Sequence, residues 1–376
     1  MATPPLPPVP EPVRPADAYD YACPTDLIAQ HPAPDRAASR LLVLDRADGR
    51  VTHRTFREFP ELLNPGDVLV LNTSRVIPAR LVGQRDNGRP AEVLLVHPEP
   101  DGTWLCMVHP GGKLKVGRRV WVGGGKRAGG AGRAEGGDGA EIEIVGVVGG
   151  GLRRVRFHGM DARAVMERFG SVPLPPYIHR APEAEDRKRY QTVYANADGS
   201  VAAPTAGLHF TQEVLAAVRA RGVAVAEVVL HVGPGTFKPV EVEDPRDHVM
   251  HAEWYEISDA ATEAINTARA RGGSVWAVGT TVARVLETSA LAARTARPAL
   301  TAGAVRGGAG WTDLFIYPPF PFRAVDALLT NFHLPRSTLL MLVAAFAGYE
   351  PVMAAYREAV RERYRLYSYG DVMAVV

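Results

Sequence analysis

The sequence predicts an α/β fold: a mixed sheet domain with helices on its faces, plus an inserted small β-barrel domain. Three observations predict it. From about residue 208 onward, strand-like apolar runs alternate with helix-period segments, the order of a sheet covered by helices. Residues 81–157 instead hold short β-type runs separated by turn residues, with no helical period of useful length between them. The chain has 376 residues, 46% hydrophobic and 22% charged, enough for two domains and a large core.

In chain order, residues 1–16 open Met-Ala-Thr-Pro-Pro-Leu-Pro-Pro, a composition that favours an extended, disordered tail. The α/β domain is expected over 17–72 and 158–376, with folded sequence starting near Tyr19-Asp-Tyr21, and the barrel over 73–157. Expected barrel strands are Glu92-Val-Leu-Leu-Val96, Thr103-Trp-Leu-Cys-Met-Val108, Arg119-Val-Trp-Val122, Ile142-Glu-Ile-Val145 and Arg154-Val-Arg-Phe157. The glycine-rich stretch 123–139 is too poor in apolar residues to pack and reads as a mobile hairpin tip. Val223-Ala-Val-Ala-Glu-Val-Val-Leu-His-Val232 is nearly all apolar, as in a strand buried on both faces. Thr211 caps the helix before it and Gly222 stops that helix. A helix over 258–271 ends at Gly272-Gly273, Ser274-Val-Trp-Ala-Val278 follows as a strand, and 312–316 and 325–330 are two more. The apolar run 339–348 falls short of the ~20 residues that span a bilayer, so it reads as a buried helix. The last helix is expected at 356–364.

Composition narrows the function classes. A formal charge of +2 proves no nucleic-acid partner, so such a partner must rest on local patches. The basic residues are nearly all arginine, which a GC-rich genome explains, although arginine also suits bidentate phosphate contact. Cys23 and Cys106 lie far apart without metal-type spacing, which fits a reducing cytoplasm and argues against disulfides and structural zinc. No basic segment followed by an apolar stretch opens the chain, so neither a signal peptide nor a membrane partner is expected.

Three strand ends carry polar or glycine-bearing loops: Gly233-Pro-Gly-Thr-Phe237, Gly279-Thr-Thr281, and Asn331-Phe-His-Leu-Pro-Arg-Ser-Thr338. In open α/β sheets ligands bind outside the carboxyl ends of strands. Ser200-Val-Ala-Ala-Pro-Thr-Ala-Gly-Leu-His-Phe-Thr211 adds small residues that let backbone approach a ligand, with a helix start behind them. Taken singly, His231 fits a core histidine, and Arg284 with Glu287 fits a surface ion pair worth under about 1 kcal/mol. Together at one edge, these loops point to a pocket.

His248 and His251 near Glu253 invite a metal reading, but nothing completes a ligand set and no metal is expected. Basic clusters stand at Arg75, Arg80, Arg85 and Arg89, at Arg187-Lys-Arg189, and at Arg357, Arg361 and Arg365. The last three would form one stripe on a helix. Interleaved Tyr190, Tyr194, Tyr356, Tyr364, Tyr367 and Tyr369 suit phosphate contact with base stacking.

At this level of detail the chain resembles the S-adenosylmethionine:tRNA ribosyltransferase-isomerases of the queuosine pathway. The matching strings include Leu27-Ile-Ala-Gln30, Ser39-Arg-Leu-Leu-Val-Leu44, Arg75-Val-Ile-Pro-Ala-Arg-Leu81, Leu174-Pro-Pro-Tyr-Ile178 and Arg189-Tyr-Gln-Thr-Val-Tyr-Ala195. Others are the 200–211 segment, 231–240, Met250-His-Ala-Glu-Trp254, Ala277-Val-Gly-Thr-Thr281, 330–340 and Ser368-Tyr-Gly-Asp371. Two departures stand out: Asn72-Thr-Ser-Arg75 has Thr73 where the family carries Asp or Asn, and Lys238 replaces an arginine.

The resemblance implies that S-adenosylmethionine is a consumed ribosyl donor, with no metal or redox cofactor. The implied acceptor is 7-aminomethyl-7-deazaguanine at the wobble position of tRNA, and the products are epoxyqueuosine-tRNA, adenine and methionine. It also implies an α/β domain with an inserted barrel. On that basis Pro204, Thr205, Gly207, Leu208, Phe210, Gly233, Gly235, Thr236 and Phe237 are expected as donor-pocket walls. Thr280, Thr281 and Arg284 fit the methionine or ribose end, and Asn72, Arg75, Tyr177, Gly279 and Asn331 complete the substrate set. His209, His231, His333 and Glu253 are the unranked acid–base candidates. Arg75, Arg80, Arg187, Arg189, Arg357, Arg361 and Arg365 are expected to hold tRNA phosphates. A monomer is expected, with a homodimer as the alternative. The rival readings are an S-adenosylmethionine-dependent RNA methyltransferase, from the glycine turn after Val232, and a non-catalytic RNA-binding protein.

Overall fold

The computed structural model describes residues 12–123, 139–149, 151–237, 239–296 and 303–376. Most of the proline-rich tail, most of the glycine-rich loop and Lys238 therefore lie outside the described residues. The strands are β1 (Arg40–Leu44), β2 (Val51–Thr55), β3 (Val68–Asn72), β4 (Ser74–Val76), β5 (Arg80–Arg85), β6 (Pro90–Pro98), β7 (Trp104–His109), β8 (Arg119–Val122), β9 (Ala140–Gly149), β10 (Leu152–His158), β11 (Ala197–Ser200), β12 (Ala224–Leu230), β13 (Glu253–Ile257), β14 (Val275–Val278), β15 (Gly308–Thr312), β16 (Ala327–Asn331) and β17 (Val372–Val375). The helices are α1 (Ala162–Phe169), α2 (Asp186–Arg189), α3 (Gln212–Ala220), α4 (Asp259–Ala270), α5 (Thr280–Ala296), α6 (Thr338–Ala347) and α7 (Tyr349–Arg361).

Nine strands form one mixed sheet in the order β15-β13-β12-β3-β14-β16-β17-β1-β2. Neighbours β12, β3, β14 and β16 are parallel. Val68-Leu-Val-Leu71 is buried throughout, because residues of α4, α5 and α6 pack on one face and Phe56, Phe59 and α3 on the other. The expected double burial fails in β12, where Ala226, Val228 and Leu230 face the larger core. The second core reaches only Val225 and leaves Glu227 in solvent. Caps fix three helix starts: the Thr211, Ser258 and Ser337 side chains accept from Val214, Ala261 and Leu340 N–H.

A closed six-stranded barrel, ordered β10-β7-β6-β5-β8-β9, holds Leu81, Val93, Leu95, Cys106, Ile142 and Val155 inside, with Val165 and Met166 of α1 packed against them. Burial pushes the Cys106 thiol up to about 12, so it is an inert core residue. The expected insertion also spans β4, which pairs with β11 outside the barrel.

Some boundaries differ from expectation. Ala16 is buried and its N–H donates to Glu243 O at 2.8 Å, so ordered packing starts before Tyr19. The strand expected at 312–316 is Gly308–Thr312, because the Thr312 hydroxyl accepts from Leu314 N–H at 3.2 Å and turns the chain. The last helix runs Tyr349–Arg361, and Arg363 at φ +55° ends any continuation. Arg365 therefore leaves the expected Arg357–Arg361 stripe. No single helix among the described residues is long and apolar enough to cross a membrane.

Candidate active site

The carboxyl ends of β3, β12, β14 and β16 share one edge. The antiparallel β13 and β17 bring their amino ends there, as does β1, which is parallel to β17. A cleft of about 550 Å³, counted with the open solvent at its mouth, lies at this edge. Of the expected residues, Tyr177, Pro204, Thr205, Thr236, Gly279, Thr280, Thr281, Asn331 and His333 line it. Tyr367, expected to stack a base, and Ser368, noted only within Ser368-Tyr-Gly-Asp371, line it as well.

Gly279 makes the turn into α5. Its φ of +93° is a left-handed conformation that glycine takes without a Cβ clash. Its N–H donates to Leu329 O at 2.7 Å, and its carbonyl accepts the Ala283 N–H at 3.2 Å. The N–H groups of Thr280, Thr281 and Val282 have no intrahelical acceptor. They face the cleft end of a 17-residue helix, whose dipole favours an anion there.

On the neighbouring strand end, the two hydrogens of Asn331 Nδ2 are shared among three acceptors, Tyr367 O at 3.1 Å, His209 Nε2 at 3.3 Å and Asp371 O at 3.4 Å. His209 Nε2 is thus an acceptor, so Nδ1–H donates to Ser39 Oγ at 2.9 Å. Both histidine nitrogens are consumed, which makes His209 a strut behind the cleft wall. Tyr367 sits at φ +69°, an uncommon conformation for a bulky residue, and the Asn331 amide holds its carbonyl. His333 differs from His209. Its backbone is fixed by Tyr21 and Tyr356, while its ring lines the cleft with Nε2 2.7 Å from Thr330 Oγ1.

Burial holds both histidines at about 3, with Arg36 and Arg365 adding to the effect at His209. An unfolded histidine takes its proton near ~6.5. Between about 6.5 and 3 the unfolded chain therefore binds protons that the folded chain refuses, and stability falls as pH drops through that window. Each histidine contributes up to about 1.4 kcal/mol per pH unit. Removing one by His209→Gln is expected to relieve about half of their joint slope, read from urea unfolding between pH 5 and 7. Asp371 and Glu287, raised by burial, act in the opposite sense and cancel in the comparison.

Other expected residues stand behind the cleft wall. His231 follows Leu230 and precedes Val232, and strand alternation turns it away when Val232 lines the cleft. Its Nδ1 meets Ser74 Oγ at 2.8 Å and its ring stacks on Trp254. Ser74 also binds Ser200 Oγ, which accepts Val232 N–H, so this network ties the barrel connection to the cleft wall. Glu253 is no free base: its carboxylate pairs with the buried Arg284 and accepts Gly233 N–H at 2.7 Å. Arg284 is likewise withdrawn from substrate, also donating to Leu314 O and Thr312 O. It does not pair with Glu287, which accepts from the Arg323, Ala324 and Val325 N–H groups. Asn72 knots β3 to Leu230 at both backbone groups and reaches Thr281 Oγ1 at 3.5 Å. Thr73 is buried with its hydroxyl 3.4 Å from Val228 O, away from the cleft.

Leu208 and Phe210 are core residues, Phe210 lying edge-on to Phe56 and Phe59. Gly233 receives Glu253, Gly235 packs against the His251 ring, and Phe237 ends the short turn Pro234–Phe237. Gly207 sits under Tyr194: a Cβ there would lie 2.1 Å from Tyr194 Oη and 2.7 Å from Thr192 Cγ2. Gly207→Ala is expected to cost about 1–3 kcal/mol by overpacking, seen as a lower urea midpoint.

The basic residues are mostly occupied. Arg75 donates to Ala195 O, Arg80 pairs with Glu92, Arg187 holds Gly170 O, and Arg189 binds Ala33 O and Pro34 O. Arg361 pairs with Glu358 and Glu362, Arg365 holds His31 O, and Arg357 is exposed. Of the six tyrosines expected to stack bases, Tyr190, Tyr356, Tyr364, Tyr367 and Tyr369 are buried, Tyr369 donating to Asp186. Their phenyl rings pack inside the protein because each has aromatic or core partners there.

A mixed sheet with a polar cleft at its carboxyl edge and a closed barrel beside it defines a two-part α/β ligand-binding protein. The Gly233-Pro-Gly turn leads into a 3₁₀ turn instead of the long helix of a Rossmann unit, which disfavours the methyltransferase reading. The family model described as queuosine biosynthesis protein matches residues 16–375. An S-adenosylmethionine:tRNA ribosyltransferase-isomerase of Moorella thermoacetica is 49% identical over 96% of this chain and 99% of its own length. The like-named protein of Symbiobacterium thermophilum is 50% identical over 95% and 98%. A crystal structure of S-adenosylmethionine tRNA ribosyltransferase from Thermotoga maritima aligns with TM-score 0.52 and 39% identity over 96% of this chain and all of that one. The chain belongs to the queuosine biosynthesis protein family.

Proposed function

We propose that this chain is an S-adenosylmethionine:tRNA ribosyltransferase-isomerase. It transfers and isomerises the ribosyl moiety of S-adenosylmethionine onto 7-aminomethyl-7-deazaguanine at the tRNA wobble position, releasing adenine and methionine in the cytoplasm. The observation that carries the reading is the single cleft in which an anion-seeking helix start, the Asn331 amide and the His333 ring meet. The helix start receives the methionine carboxylate. The sulfonium acidifies the adjacent 5′ hydrogens, and His333 is the group that moves the proton. The Thr330 hydroxyl donates to Asn331 O at 3.3 Å, so Thr330 Oγ1 accepts His333 Nε2–H and Nδ1 keeps a free lone pair. Fixed dipoles in a largely dry wall stabilise the developing charge.

The test is incubation with S-adenosylmethionine and precursor-bearing tRNA, followed by nucleoside mass spectrometry. Epoxyqueuosine in the tRNA with free adenine and methionine is the expected result. S-adenosylhomocysteine as the product would overturn it in favour of methyl transfer.

A further inference from the structure

The cleft wall contains a buried acceptor that the protein leaves unpaired. Asn331 is 2% exposed, and its amide has one workable orientation. Nδ2 faces the carbonyls of Tyr367 and Asp371. Turning the amide over would set Oδ1 against both oxygens. Oδ1 is therefore committed to its other side, and among the described residues nothing donates to it. A buried acceptor left unpaired is destabilising until a donor arrives, and Asn331 lines the cleft.

The start of α5 lies one strand away. Val278 registers opposite Leu329, and Gly279 N–H donates to Leu329 O. Neighbouring strands are about 4.8 Å apart, so the first turn of α5 and Asn331 form adjacent walls. One wall seeks negative charge and the other lacks a hydrogen-bond donor. A ligand group that satisfies both at that spacing carries an anion and a donor on neighbouring atoms, as an α-amino acid does.

Building on the function proposed above, we propose that Asn331 Oδ1 accepts from the α-ammonium group of the methionyl end of S-adenosylmethionine, whose carboxylate caps the first turn of α5. His209, behind the amide, is held neutral by burial and sets no positive charge against the ammonium. Because its Nε2 lies against Asn331 Nδ2, it also favours the amide orientation that leaves Oδ1 unpaired.

Calorimetric titration of the full chain with S-adenosylmethionine and three analogues tests this. The analogues lack the amine, carry a hydroxyl in its place, or lack the carboxylate. In the wild type, loss of the amine should weaken binding about 10- to 100-fold, with the hydroxyl analogue in between because it keeps a donor. In Asn331→Ala, S-adenosylmethionine should weaken by a similar factor and removal of the amine should cost nothing further. Removal of the carboxylate should still cost as much as in the wild type. A folded Asn331→Ala that loses the full factor on deamination would overturn the inference. So would a wild type that binds the deaminated analogue as tightly as the parent, a result that needs no variant to fold. Absence of any binding of S-adenosylmethionine to the wild type would overturn the proposed function along with it.

Discussion

His333→Ala is expected to slow adenine release about 10²- to 10⁴-fold, the range of a lost acid–base group. KM for S-adenosylmethionine should move far less than kcat. Three features make the substitution clean. The backbone of residue 333 is held by Tyr356 Oη and Tyr21 Oη, and alanine keeps both bonds. The side chain has one hydrogen-bond partner among the described residues, Thr330, whose hydroxyl retains Asn331 O as acceptor. The ring also faces a cleft instead of the close-packed core, so its loss leaves a space that water can fill. His231→Ala is the control, since that ring points away from the cleft and its contacts are with Ser74 and Trp254. It should change kcat by less than about tenfold. With His333 held near 3, the rate should show no histidine limb between pH 5 and 8. Single-turnover release of adenine, with imidazole added to the alanine variant, separates chemistry from binding. Undiminished release without imidazole would remove His333 from the mechanism.

Much of the architecture was legible because it rests on short-range patterns. Capping side chains at Thr211, Ser258 and Ser337 announce α3, α4 and α6, and the short runs of 92–157 announce a barrel. The cleft was legible for a related reason: polar loops after consecutive parallel strands must share an edge once the sheet forms. What the sequence could not separate was which polar residue faces the ligand and which faces its own framework. His231 and Val232 differ only by strand alternation, and the register that orients them depends on pairing with residues far along the chain. Asn72, His209 and Glu253 have the chemistry of site residues, yet each is saturated by backbone or by a partner distant in sequence. The tyrosines misled for the same reason, because nothing local tells a stacking ring from a core ring. Ser368, a cleft residue, was visible only within its string, and Tyr367 was read as a stacking ring instead of a cleft wall.

Arg284→Met is expected to destabilise the protein by about 3–5 kcal/mol, the cost of breaking a buried ion pair from one side. Arg284 is 5% and Glu253 8% exposed, so water cannot take the place of the lost guanidinium. The carboxylate would keep Gly233 N–H but lose its counter-charge, and Leu314 O and Thr312 O would lose their donor. Glu253→Gln in the same chain should return a large part of the loss, because it removes the stranded charge while the amide oxygen still accepts Gly233 N–H. Urea unfolding of the wild type, both single variants and the double variant gives the coupling directly. A loss under about 1 kcal/mol in Arg284→Met would mean that the pair behaves as an exposed one. The consequence reaches the cleft through the chain. Glu253 fixes the start of the Gly233-Pro-Gly-Thr236 turn, and Thr236 is a cleft wall. In a variant still folded at low temperature, affinity for S-adenosylmethionine should therefore fall although neither residue of the pair lines the cleft. The buried pair thus serves as an anchor for the wall that meets the donor.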